Sequence, residues 1–173
     1  MSPLFIASSE DLKRLEEKEA VYFFRDLLWA EARHVNLPPN KIHVSERTKV
    51  ADGGVDASVE DYDAVIPSGL IKKSLTCYQI KTGDSFKPWQ EAEMKKELFG
   101  EPKIIKDPKN PKAKGKKEKS VPIEKDRLGN SVRNCLDKDG HYIIVCFGQD
   151  FVEQDRIKTI TITKDFFKQC GYN

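Results

Sequence analysis

The run Tyr142-Ile143-Ile144-Val145-Cys146-Phe147 constrains the fold of this 173-residue chain more than any other segment. It is entered through Asp139-Gly140 and left at Gly148, and it is far shorter than the roughly 20 residues that cross a bilayer. A strand covered on both faces reads as continuous apolar residues, so the run predicts a buried central strand. Such a strand needs helices to cover it.

The rest of the chain supplies them. Ser8-Ser9-Glu10-Asp11 offers hydroxyls for an N-cap and acids for a first turn. Leu12, Leu15, Tyr22, Phe23, Leu27 and Ala30 then recur at threes and fours. This predicts one long helix ending at Leu37-Pro38-Pro39-Asn40, with Glu19 inside its apolar stripe. Pro88 suits the early turn of a helix through Met94, Leu98 and Phe99 that Gly100 closes. Leu128, Val132, Cys135 and Leu136 suit a shorter one. Further strands are predicted from Lys41 to Ser45, Asp52 to Glu60 and Leu75 to Lys81. Ile66-Pro67-Ser68-Gly69 reads as a turn, with a longer hairpin through this region as the alternative. Ile157, Ile160 and Ile162 among Thr159, Thr161 and Thr163 predict another strand, followed by a short helix with Phe166 and Phe167. The expected fold is α/β, a mixed sheet of four to five strands flanked by helices. Residues 1–173 are expected to form a single domain, with a Lys-rich loop or insertion at about 101–122.

Charged residues make up 34% of the chain and net charge is only +2, so any attraction to nucleic acid depends on how charge is distributed. No long apolar run and no charged, apolar leader is present in the sequence, which predicts a cytoplasmic protein without membrane contact. Cys77, Cys135, Cys146 and Cys170 lack a CxxC pair and read as buried reduced thiols. His34, His43 and His141 have no paired spacing.

Chemistry concentrates in Asp52-Gly53-Gly54-Val55-Asp56 and Cys77-Tyr78-Gln79-Ile80-Lys81. With period two, Cys77, Gln79 and Lys81 share one face of a strand while Thr76, Tyr78 and Ile80 share the other. If Asp56 begins the preceding strand of a hairpin, its carboxylate lies opposite Gln79, at roughly 5 Å between Cβ atoms. An acid, an amide oxygen and a lysine at one point form a workable divalent-metal site.

Gly53-Gly54-Val55-Asp56 and Gln79-Ile80-Lys81, in that order and after a helix, resemble the metal motif of the PD-(D/E)xK nuclease superfamily, in its Mrr-like restriction endonuclease branch. The resemblance spans about residues 12–149. At Gln79 the chain departs from the commonest form, in which an acid stands there. The resemblance implies a restriction-endonuclease-like core and a deoxyribonuclease that uses Mg2+, with Mn2+ able to substitute. Asp56 would be the principal ligand, with Gln79 and the Ile80 carbonyl in support. Lys81 would position water and stabilise developing charge. A first-helix glutamate also approaches the metal in this family; Glu19 is the choice here, with Glu16 the alternative.

Domains of this kind often serve as effectors of larger bacterial antiphage defence or restriction proteins. The resemblance therefore implies double-stranded DNA as substrate and a sensor or NTPase module in a longer protein. A homo-oligomer is also implied, because a double-strand break needs two nicks. Lys112, Lys114, Lys116 and Lys117 suit sequence-independent phosphate contacts or, equally, a solvated insertion. The competing reading is a non-catalytic DNA-binding or assembly module that retains the nuclease fold.

Overall fold

The computed structural model describes residues 8–45, 54–61, 69–72, 74–101, 104–105, 116–117 and 121–172. The chain divides into two compact units, residues 1–86 with 130–150 and residues 87–129 with 151–173. The architecture is mixed α/β.

In the first unit, Ser8 caps α1 (Ser9–Lys13) reciprocally. The Ser8 hydroxyl accepts the Asp11 N–H at 3.2 Å, and the Asp11 carboxylate accepts the Ser8 N–H at 2.9 Å. The predicted long helix is broken after Arg14 and restarts as α2 (Glu17–His34). The apolar phase read from Leu12 and Leu15 therefore does not carry through. Ala20, Val21, Phe24, Leu28 and Ala32 face inward, whereas Leu27 is 38% exposed. Glu19 accordingly lies outside the buried stripe, exposed on the first turn of α2.

A four-stranded sheet follows in the order β1-β2-β3-β6, from β1 (Ile42–Val44), β2 (Ala57–Asp61), β3 (Ser74–Lys81) and β6 (His141–Cys146). β1, β2 and β3 pair antiparallel, while β3 and β6 are parallel. One face packs Ala57, Val59, Tyr78 and Ile80 against α2, with Phe24 edge-on to Tyr78 at 4.9 Å. On the other face, Leu75 and Cys77 meet Cys135 of α4 (Asn130–Asp137), with Val55 and Tyr142 alongside.

The expectation of a central β6 is corrected. Among the described residues β6 is an edge strand of intermediate burial, and β3 is the strand covered on both faces, buried from Leu75 through Ile80. β3 escapes the continuous apolar signature because its inward polar groups are satisfied. The Thr76 hydroxyl accepts the Lys72 N–H at 3.1 Å, and the Tyr78 hydroxyl donates to the Leu70 carbonyl at 2.7 Å.

In the second unit, α3 (Glu91–Phe99) ends at Gly100, whose φ of +76° suits a glycine C-cap. β4 (Ile104–Ile105) pairs with β5 (Lys116–Lys117). The strand predicted at 157–163 is instead the middle of α5 (Glu153–Gln169). Its threonines fit a helix because each hydroxyl donates to the carbonyl four residues back. Thr159 reaches Asp155 at 2.8 Å, Thr161 reaches Ile157 at 3.0 Å and Thr163 reaches Thr159 at 2.7 Å. Phe166 anchors α5 on Phe99, with ring centroids 5.7 Å apart. Trp89 packs edge-on against Phe151, with ring centroids 5.4 Å apart. Among the described residues no helix is long and apolar enough to cross a membrane.

Candidate active site

Asp56 sits where the chain enters β2, and both of its main-chain groups are held. Its N–H donates to the Tyr78 carbonyl and its carbonyl accepts the Ser45 N–H, each at 2.8 Å. Ala57 is the residue in register with Tyr78. Residues 56 and 57 therefore both address Tyr78, the two-against-one count of a β-bulge, which re-aims a side chain. The Asp56 carboxylate turns along the sheet, and Oδ2 accepts the Ile80 N–H at 2.6 Å. It takes the place that a neighbouring backbone carbonyl would fill in an uninterrupted ladder. The same oxygen is 3.4 Å from Gln79 Nε2.

Gln79 is 7% exposed, and both ends of its amide are engaged. Nε2 faces Asp56, and Oε1 is 3.2 Å from the hydroxyl of Tyr142. That hydroxyl is also 3.3 Å from the Gly54 carbonyl. Gly54 has a φ of +88°, and a Cβ there would lie 3.2 Å from both Gln79 Oε1 and Val132 Cγ2 of α4. The glycine supplies both the left-handed backbone and the room for the amide.

Lys81 follows two residues along, on the same face of β3 as Gln79 by strand alternation. Its carbonyl accepts the Phe147 N–H at 2.9 Å, and its ammonium lies 5.3 Å from the centre of the Phe86 ring. The turn carrying Phe86 is fixed by Gln149, whose amide donates to the Phe86 carbonyl, and by the close approach of Gly148 to the Gly83 backbone. Asp56 also lines a cleft of about 300 Å3 with His43, Val44, Ser45, Val55, Ala57 and Ser58.

The Asp56 carboxylate thus meets Gln79, and Lys81 stands two residues further along the same face of β3. Glu19 does not join them: its carboxylate accepts the Glu16 N–H at 3.0 Å and secures the start of α2. Glu16 is the exposed N-cap residue of that helix. Lys116 and Lys117 form β5, while Asp52, Gly53, Lys112 and Lys114 lie outside the described residues.

Among the described residues no three His, Cys, Asp or Glu side chains gather into a metal-holding group. The donor set is one carboxylate with an amide beside it. That suits a hard cation that keeps most of its water, provided the amide presents oxygen rather than nitrogen to Asp56. Tyr142 is the member of the site that sequence reading passed over, because it stands inside an apolar run. Its signal is the parallel pairing of Tyr142 with Cys77, which puts it on the face of Gln79. Compared with protein-family models, curated proteins and solved structures, the chain matches none.

Proposed function

We propose that this chain is a metal-dependent endonuclease domain that hydrolyses phosphodiester bonds of double-stranded DNA. It would belong to the Mrr-like branch of the PD-(D/E)xK superfamily and act as an effector in bacterial antiphage defence or restriction. The observation that carries the reading is the meeting of the Asp56 carboxylate with the Gln79 amide, with Lys81 next along the same strand face. A restriction-endonuclease-like core is the finer form of the mixed α/β fold, and it is part of the same proposal.

Asp56, Gln79 and the Ile80 carbonyl would hold Mg2+ or Mn2+. A divalent cation there supplies Lewis-acid neutralisation of phosphate charge and an acidified water. The Ile80 N–H fixes the plane of the Asp56 carboxylate, so the ligand is oriented before substrate arrives. Lys81 brings a fixed positive charge toward the oxygens on which negative charge develops. Glu19 enters this proposal only by a change of side-chain position from its helix-capping contact.

The test is incubation of the purified protein with supercoiled plasmid and Mg2+ or Mn2+. Nicked and linear products are expected; Asp56→Asn should abolish them and Lys81→Ala should slow their appearance strongly, with the melting temperature held. Gln79, a neutral amide where an acid is usual, favours a second reading: a non-catalytic DNA-binding or assembly module. A wild-type protein that shifts DNA and never cuts it would establish that reading instead.

A further inference from the structure

We propose that Tyr142 is a positioning residue that lets the Gln79 amide turn over when a divalent cation binds; the inference rests on the metal-dependent reading above. The hydroxyl of Tyr142 lies 3.2 Å from Gln79 Oε1 and 3.3 Å from the Gly54 carbonyl. A phenol has one proton to give and lone pairs to receive with. It can therefore serve two orientations of the amide equally.

In the orientation described, Tyr142 donates to Gln79 Oε1 and Nε2 faces Asp56 Oδ2 at 3.4 Å. An NH2 group against the carboxylate keeps a cation out. Turning the amide by half a revolution about its terminal bond exchanges oxygen and nitrogen. Nε2 then donates to the Tyr142 oxygen, and the Tyr142 hydroxyl turns its O–H to the Gly54 carbonyl, which accepts that hydrogen bond. Oε1 takes the place beside Asp56. The amide and the Tyr142 hydroxyl each keep a hydrogen-bond partner, and at the Asp56 contact two oxygens now converge. Two acceptors side by side repel unless a cation lies between them, so the turned state belongs to the metal-bound protein. The Gly54 carbonyl completes the exchange by accepting from the Tyr142 hydroxyl once the amide oxygen has turned away.

Removal of an outer partner of a metal ligand weakens binding by about 10- to 100-fold. Tyr142→Phe should weaken Mn2+ and Mg2+ binding by that factor in calorimetric titration of the whole chain with the metal chloride alone. A carboxylate has two equivalent oxygens and needs no orienting. In a Gln79→Glu background, the same Tyr142→Phe change should therefore cost less than about threefold, a rescue that a merely structural tyrosine would not show. Independently of how the variants fold, the Gln79 side-chain NH2 resonances of 15N-labelled wild type, assigned by their loss in Gln79→Glu, should move when Mg2+ is added and gain cross-peaks to the Tyr142 ring. Wild-type metal binding with unmoved NH2 resonances, or with full affinity retained in Tyr142→Phe, overturns the switch alone. Absence of any wild-type metal binding overturns the nuclease reading and the switch together.

Discussion

The two faces of β3 differ in kind. Toward α2, Tyr78 and Ile80 are packed among Phe24, Leu28 and Val59, and the hydroxyls on that side are spent on main chain, Tyr78 on the Leu70 carbonyl and Thr76 on Lys72. Toward α4, Leu75 and Cys77 begin the same strand as a small apolar cluster, but Gln79 and Lys81 finish it among hydrogen-bonding groups. One strand thus carries apolar packing on one side and a polar candidate site at one end of the other. Strand alternation makes this possible, because neighbouring residues answer to different surroundings. Changes on the two faces should separate in experiment.

The largest expected effect is on the α2 face. Phe24→Ala removes a ring in contact with Tyr78 and should cost about 3–5 kcal/mol in urea unfolding. A loss below 1 kcal/mol would erase the distinction between the faces. Next, Lys81→Ala should slow plasmid cleavage by about 10²- to 10³-fold, as removal of one charge-stabilising donor does elsewhere. Its unfolding free energy should fall by less than about 1 kcal/mol, the worth of a half-buried contact with an aromatic ring. Gly54→Ala lies between the two classes. Its left-handed backbone and the tight approach to Gln79 predict a loss of about 1–3 kcal/mol together with weaker cleavage, measured on the same preparation.

The smallest effect is also the most selective. Burial holds the Tyr78 phenol protonated well above the usual phenol range. The unfolded chain ionises near pH 10, so the stabilisation is complete below that pH and declines as pH rises through it toward the folded value. Tyr78→Phe should cost about 1 kcal/mol at neutral pH, the worth of one hydrogen bond. It should also remove this tyrosine's part of the alkaline decline, as read from urea midpoints between pH 8 and pH 11. An unchanged decline would show that the α2 face does not hold the phenol as described.

Period two along Leu75 to Lys81 was enough to assign side chains to faces, since the pleat allows no other outcome. The bulge at Asp56 was not legible, because the extra residue arises from which carbonyl the Asp56 N–H meets rather than from residue type. Glu19 was misplaced for a similar reason. A helix that stops at Arg14 and restarts at Glu17 resets its own phase, and the apolar pattern before the break says nothing of the pattern after it. Alternating isoleucine and threonine in α5 imitated a strand until threonine hydroxyls were seen to satisfy themselves within the helix. The apolar run of β6 marked a strand correctly but not its rank in the sheet, which depends on what pairs beyond it.

The parallel pairing of β3 with β6 joins two strands separated by the whole excursion from Thr82 to Gly140. Closing so long a detour slows the search for the native pairing, yet its entropic penalty rises only logarithmically with length. The middle of that excursion can therefore change in length at small entropic cost, whereas its two ends, Phe86 beside Lys81 and α4 against β3, are tied to the site.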